Sequence, residues 1–140
     1  MIRKLNTEDI NAVMNIWLKE NKQAHHFIEE SYWENHFYSV KEMISETEVY
    51  VYEQNSKICG FIGLMDDYIA GIFVSKVFQS KGIGKQLLDF VKTKYSTLSL
   101  HVYQQNTCAI QFYLREGFSF LKAQTDEETG KTEIAMHWHK

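Results

Sequence analysis

The chain has 140 residues, of which 44% are apolar and 14% aromatic, so it is long and apolar enough to bury the core of one globular domain. Its net charge is only −3 and its lysines are scattered, which argues against binding to nucleic acid or to an anionic membrane. No apolar run approaches the roughly 20 residues of a membrane span, and the N-terminal MIRKLNTEDI lacks the apolar core of a signal peptide. We therefore expect a cytoplasmic protein.

The first part of the chain is predicted to form a short strand, MIRKL, and two helices. Thr7 is expected to cap the first helix, because a hydroxyl side chain accepts hydrogen bonds from free N–H groups. Apolar residues at helical spacing define the buried side of each helix. They are Ile10, Val13, Met14 and Trp17 in the first helix, then Trp33, Phe37, Val40 and Ile44 in the second.

Strands dominate the middle of the chain. VYVYEQ, ICGFIGLM and YIAGIFV are predicted to be consecutive strands, and Gly71 inside the third indicates a bulge or a close approach by another group. A helix at 83–95, the strand LSLHVY, a helix at 107–115 ending at Gly117 and the strands FSFLKA and TEIAMHWH follow.

The resulting order is βααβββαβαββ over one domain, residues 1–140. It predicts an α/β (α+β) protein with a mostly antiparallel sheet. The crossover from strand 69–75 through helix 83–95 to strand 98–103 is expected to be parallel and right-handed.

The stretch QSKGIGKQLLDFV joins two glycines to a helix, and a helix N-terminus with free N–H groups is a site for an anion. A Walker P-loop is excluded, because Gln79 stands at its first glycine and Gln86 where a hydroxyl must hold magnesium. A dinucleotide fingerprint is excluded by Leu87 at its third glycine. Residues 79–84 instead fit the pattern Q/R-x-x-G-x-G/A at every fixed position.

This pattern, together with YQQNTCAIQFYLREGF at 103–118, resembles the GNAT superfamily of acyl-CoA-dependent N-acetyltransferases, in particular small stand-alone bacterial members. The resemblance covers essentially the whole chain. It implies a seven-stranded sheet flanked by four helices, whose fourth and fifth strands are parallel and splay apart. It also implies acetyl-CoA or coenzyme A as the cofactor, with its pyrophosphate on the glycine turn.

The resemblance places the following residues at the cofactor: Gln79, Ser80, Lys81, Gly82, Ile83, Gly84 and Lys85 at the pyrophosphate, Asn106 elsewhere along the cofactor, and Tyr113 near its sulfur. The unpaired backbone of Ile72, Phe73 and Val74 is expected to bind the pantetheine arm and to polarise the thioester carbonyl. Tyr113 is the candidate catalytic residue, as the proton donor to the leaving thiolate. Alternatively, its ring simply packs beside Ala109.

The general base remains open. Many family members carry a glutamate in the strand before the glycine turn, but DDYIAGIFV has none. Asp66, Asp67 and His101 are candidates, and ordered water without a dedicated base is an equal alternative.

The loop between the first two helices and the ends of the two splayed strands are expected to bind a primary amine. The candidates are His25, Phe27, Tyr32, Tyr68 and Tyr103. No acidic cluster is apparent. We expect a lysine or N-terminal amine of a peptide or protein as acceptor, with a small-molecule amine or a non-catalytic acyl-CoA sensor as alternatives, and a monomer or weak homodimer.

The cysteines and the C-terminal histidines fit no metal pattern. Cys59 and Cys108 are expected to be free thiols, although Cys108 near a helix start could exchange with coenzyme A. His137 and His139 share a strand face without a third ligand, so we predict no metal site.

Overall fold

The computed structural model describes residues 1–140 and contains seven strands and four helices. The strands are β1 (Ile2–Lys4), β2 (Glu48–Gln54), β3 (Lys57–Met65), β4 (Tyr68–Val74), β5 (Thr97–Tyr103), β6 (Ser119–Thr125) and β7 (Thr132–His139). The helices are α1 (Ile10–Ala24), α2 (Glu30–Glu46), α3 (Ile83–Lys92) and α4 (Thr107–Arg115). The predicted order of elements is confirmed.

All seven strands form one sheet in the order β1-β2-β3-β4-β5-β7-β6. Only β4 and β5 are parallel, as the prediction of a single crossover requires. Helices α1 and α2 pack on one face of this sheet, and α3 and α4 pack on the other. No helix is both long and apolar enough to cross a membrane.

Strands β4 and β5 separate soon after they meet. They pair only at Tyr68 with Ser99 and at Ile69 with Leu100, whereas β4 stays paired with β3 as far as Val74. The register between β3 and β4 shifts beside Gly63, which leaves Ala70 as an extra residue on β4. The bulge thus lies next to Gly71, where the sequence indicated an irregular strand.

There is also a steric reason for a glycine at position 71. The ring of Phe73 folds over it, so that a Cβ at position 71 would clash with Cε2 of Phe73. That ring stacks on Phe61 at a centroid distance of 5.2 Å, on the face covered by α1 and α2. Glycine therefore allows Phe73 to pack into this core.

Two details at helix ends differ from the prediction. Asn6, not Thr7, precedes the first helical turn, and the Asp9 carboxylate accepts a hydrogen bond from its backbone N–H at 2.7 Å. Arg3 binds the same carboxylate through two nitrogens, which fixes this turn. Helix α3 ends at Lys92 rather than 95, because the N–H of Thr93 bonds to the Phe90 carbonyl in a tighter turn.

Candidate active site

Two cavities open on opposite faces of the sheet where β4 and β5 separate. The α3–α4 groove, of about 530 Å³, lies between β4, α3 and α4. The α1–α2 cavity, of about 270 Å³, lies between α1, the α1–α2 connection, β4 and β5. Ile72, Ala109 and Tyr113 line both, so the two cavities meet at these three residues.

The glycine turn forms one end of the α3–α4 groove. Gly82 has a φ of 83° at the N-cap of α3, and Ser80 has a φ of 64°, so the chain turns through two left-handed residues before the helix starts. The N–H groups of the first turn of α3 have no partner within the helix. The turn therefore presents hydrogen-bond donors and the positive end of a helix dipole.

Nine of the residues predicted to bind the cofactor line this groove: Ile72, Val74, Gln79, Ser80, Gly82, Ile83, Gly84, Lys85 and Tyr113. Phe73 and Asn106 line the α1–α2 cavity instead. Lys81 lines neither; its Nζ lies 5.9 Å from the centre of the Phe78 ring. Lys85 is held by Asp89 and Glu116, each at 3.1 Å.

A carboxylate that was not predicted from the sequence holds the turn. Glu20 of α1 accepts hydrogen bonds from the Gln79 side-chain amide at 2.8 Å and from the Lys76 backbone N–H at 3.2 Å. The same Gln79 amide donates to the Val74 carbonyl at 2.8 Å. Gln79 thus joins the end of β4 to α1 and fixes the start of the turn.

The open edge of β4 faces the gap between the strands. Because the Val74 carbonyl bonds to Gln79, the backbone of Val74 points away from β3. Backbone groups alternate in direction along a strand, so the backbone of Ile72 points into the gap as well. Its N–H and C=O are available to a ligand, since β5 has already diverged.

Tyr113 is buried at the junction of the two cavities, and its ring packs against Phe112 and Phe118 at centroid distances of 5.2 and 5.4 Å. Burial raises the pKa of its phenol, and nearby Tyr68 adds to the effect. The phenol is therefore protonated at neutral pH and can donate a proton but cannot act as a base.

His25 forms the centre of an aromatic cluster in the α1–α2 cavity. Its ring stacks on Trp33 at 5.2 Å, and Phe27 and Tyr103 meet it edge-on at 5.6 and 5.2 Å. Burial lowers the pKa of His25 to about 4, so the ring is neutral at pH 7. Asn106 lies beside it, 3.3 Å from its Nε2.

Three of the five predicted acceptor residues line this cavity: His25, Tyr68 and Tyr103. Phe27 and Tyr32 stand behind them. Phe27 supports His25, while Tyr32 packs on Trp33 at 4.9 Å and on His36 at 4.4 Å.

Among the candidate bases, only His101 lines the cavity. Its Nδ1 lies 3.1 Å from the hydroxyl of Tyr68. Asp66 and Asp67 form the β3–β4 turn, where Asp67 accepts a hydrogen bond from Thr97 at 2.9 Å, and they line neither cavity.

The sequence offered no acidic cluster that would favour a polyamine or an aminoglycoside, but the fold brings two carboxylates to the α1–α2 cavity. Glu133 lines the α1–α2 cavity, directly across the β5–β7 ladder from Tyr103. Asp126 accepts a hydrogen bond from the Tyr103 hydroxyl at 2.6 Å. The acidic run 126–128 was visible in the sequence, but only the pairing of β7 with β5 brings it to the cavity.

The two cysteines differ in exposure. Cys108 is exposed and lines the α3–α4 groove, whereas Cys59 is fully buried in the core. The rings of His137 and His139 lie 6.1 Å apart at the C-terminal end of β7, and neither lines either cavity.

Comparison with known proteins agrees with this architecture. The family described as "Acetyltransferase (GNAT) domain" matches residues 12–140. The peptidyl-lysine N-acetyltransferase YiaC of Escherichia coli K12 is 31% identical over 140 residues, covering 99% of this chain and 96% of YiaC. The peptidyl-lysine N-acetyltransferase YjaB of Salmonella typhimurium is 26% identical over 132 residues, covering 93% and 90%.

The solution structure of apo YjaB from Escherichia coli superimposes with a TM-score of 0.87 at 20% identity, covering 99% of this chain and 96% of YjaB. The splayed parallel strand pair and the glycine turn at a helix N-terminus are the features that the resemblance to acyl-CoA-dependent N-acetyltransferases implies. The chain belongs to the GNAT acetyltransferase family. It is an N-acetyltransferase, and its acetyl donor is acetyl-CoA.

Proposed function

We propose that the protein transfers the acetyl group of acetyl-CoA to the side-chain amine of a lysine in a peptide or protein, by direct attack while both substrates are bound. The observation that carries the proposal is the junction at Ile72, Ala109 and Tyr113. A donor in the α3–α4 groove and an acceptor in the α1–α2 cavity reach one point from opposite faces of the sheet. One chain builds both cavities, so a monomer suffices.

The α3–α4 groove fits acetyl-CoA in its chemistry. The turn at 79–82 and the N-terminus of α3 suit a pyrophosphate, because both present N–H donors and a positive dipole end. The open backbone of Ile72 suits the amides of the pantetheine arm. Lys81 is exposed and adds positive charge near the turn, whereas Lys85 is paired with Asp89 and Glu116.

Bound acetyl-CoA supplies an acetyl group activated as a thioester, and the incoming amine forms the new C–N bond as the C–S bond breaks. An ammonium must lose one proton before attack and a second as the amide forms. Tyr113 donates a proton to the departing sulfur and regains one from solvent. Balanced over the cycle, the products are the amide, the free thiol and one released proton.

His101 is the residue best placed to accept the proton from the amine. It lines the α1–α2 cavity, and its contact with the Tyr68 hydroxyl fixes the imidazole ring against the first residue of β4. His25 is a weak base, since burial lowers its pKa to about 4. The aspartates at the β3–β4 turn lie outside the cavity.

Two relatives support a lysine acceptor. YiaC and YjaB are both named peptidyl-lysine N-acetyltransferases, and the similarity to each covers more than nine-tenths of this chain. The α1–α2 cavity opens between aromatic rings, which suit the aliphatic stem and the cationic end of a lysine side chain.

The test is acetylation of a mixed acceptor panel, read by mass spectrometry. The panel contains a lysine peptide, the same peptide with its lysine replaced and a free N-terminus, a polyamine, an aminoglycoside and several amino acids. We expect acetylation of the lysine peptide by the wild type and its loss in Tyr113→Phe. Acetylation of a small amine alone would overturn the peptide acceptor, and tight acetyl-CoA binding without any product would indicate a sensor.

A further inference from the structure

Three carboxylates stand on one side of the α1–α2 cavity. Glu133 lines it, and Asp126 and Glu128 lie in the β6–β7 hairpin beside it, where Asp126 bonds to Tyr103 and Glu128 lies 3.1 Å from His36. We refer to Asp126, Glu128 and Glu133 as the acidic rim.

Neither lysine nor arginine pairs with the acidic rim, and its basic contact is the pair of Glu128 with His36, whose pKa is raised by the Tyr32 backbone and by Glu128. Glu133 bonds to the neutral amide of Gln124 at 2.8 Å, and Asp126 accepts hydrogen bonds from hydroxyls, whereas lysine and arginine ion pairs occur elsewhere in the chain. The charge of Glu133 reaches the cavity wall, because burial and then Glu133 raise the pKa of Tyr68, which lines the cavity. Behind this wall, burial and then Glu128 and Asp126 raise the pKa of Tyr32.

The cavity also contains two buried N–H donors that are poorly paired. Asn106 Oδ1 accepts from the Ala109 N–H, so its Nδ2 donates to Nε2 of His25 and the imidazole hydrogen lies on Nδ1. Nε1 of Trp33 is buried and has no hydrogen-bond partner. Nδ1 of His25 is also buried and makes no hydrogen bond of good geometry, although the backbone of Asn21 is near enough to raise the pKa of the ring. Both side chains line the cavity, and an oxygen acceptor from a ligand would satisfy the N–H of Trp33 in particular.

A ligand that satisfies this wall carries positive charge beyond its reacting amine and a carbonyl oxygen near it. A peptide has both, whereas a polyamine has no carbonyl oxygen. We propose that the acceptor is a lysine within a positively charged segment, with the lysine in the α1–α2 cavity and neighbouring cationic side chains against the acidic rim. This inference rests on the proposed function and deepens it.

The test compares three peptides of one length with the same central lysine, flanked by arginine, by serine or by glutamate. For the wild type at low salt we expect kcat/KM to fall from the arginine to the glutamate peptide by about tenfold or more, and the difference to shrink in high salt. In the double variant Glu128→Gln/Glu133→Gln the ratio should fall to about threefold or less.

The matched control is the double variant Glu8→Gln/Glu29→Gln. It removes the same amount of charge, at exposed positions that line neither cavity. The control should keep the wild-type ratio. Equal rates for the three peptides, or a preference that survives in the double variant, would refute the proposed role of the acidic rim in binding cationic side chains. Neither result would contradict peptidyl-lysine acetylation itself. Acetylation of the polyamine but of no peptide would overturn both.

Discussion

The side chain of Asn106 joins α4 to His25 of the α1–α2 connection, with Nδ2 of Asn106 3.3 Å from Nε2 of His25. The same side chain caps α4 by accepting a hydrogen bond from Ala109 at 3.3 Å. Asn106 thus ties the helix that carries Tyr113 to the wall of the α1–α2 cavity. Nε2 of His25 must be unprotonated to accept this hydrogen bond, so the contact between Asn106 and His25 depends on pH.

His25 should make the protein less stable in acid. Its folded pKa of about 4 lies below the ordinary value of 6.5, so the unfolded chain takes up the proton first as pH falls. The stability is fully present above about pH 6.5 and is lost progressively towards pH 4, by roughly 3 kcal/mol at most for this group. Denaturant unfolding at pH 7, 5.5 and 4.5 measures the loss.

The neighbouring His26 provides the control, because it is exposed. His25→Gln should flatten the pH dependence, and His26→Gln should leave it unchanged. An equal slope in all three proteins would show that His25 is not buried as a neutral ring.

Tyr113→Phe should lower kcat by at least about tenfold while acetyl-CoA binding stays within about twofold, because only the proton donor is lost. Steady-state kinetics and calorimetric titration separate the two effects. Tyr52→Phe is the matched control, since Tyr52 is half-buried in β2 and lines neither cavity. Unchanged turnover in Tyr113→Phe would leave this side chain a packing role only.

Glu20→Ala should raise the KM for acetyl-CoA by about three- to tenfold with little change in kcat. The substitution removes both acceptors that hold the turn, and a hydrogen bond contributes about 1 kcal/mol net. Glu20→Gln, which keeps one acceptor oxygen, should fall between. Glu34→Ala, which breaks the surface pair with Lys22, is the control. An equal or lower KM in Glu20→Ala would show that this charge opposes the cofactor.

Cys108 should react with an aromatic disulfide reagent in the folded protein, while Cys59 should not, because only Cys108 is exposed. Acetyl-CoA at ten times its Kd should slow the reaction about tenfold, since about a tenth of the groove then remains free. The absorbance of the released aromatic thiolate measures the reaction rate, and Cys108→Ser should abolish the reaction. A rate independent of acetyl-CoA would place the cofactor away from the start of α4.

Much of the architecture was predictable because its signals are local. Helix α4 runs from Thr107 to Arg115 as predicted, since Asn106 supplies the cap and Gly117, with a φ of 93°, supplies the stop. Leu98, Leu100 and Val102 alternate along β5 with Ser99 and His101 and are buried, so the direction of this strand's apolar face is also a local signal. The helix start at Asn6 was missed because Asp9, not a cap hydroxyl, satisfies the free N–H and is itself fixed by Arg3.

The groove and the cavity differ in how far the sequence determines them. Residues 79–85 are contiguous, and a glycine turn at a helix N-terminus forms an anion site from its own backbone, so the sequence alone indicated an anion site. The resemblance to the GNAT superfamily then implied that this anion is the pyrophosphate of coenzyme A. Asn106 and His25 are 81 residues apart, and Glu133 reaches the cavity only through the β5–β7 register. Such contacts depend on how distant strands and helices pack, so the tertiary structure alone decided the acceptor side, its carboxylates and the Glu20 contact.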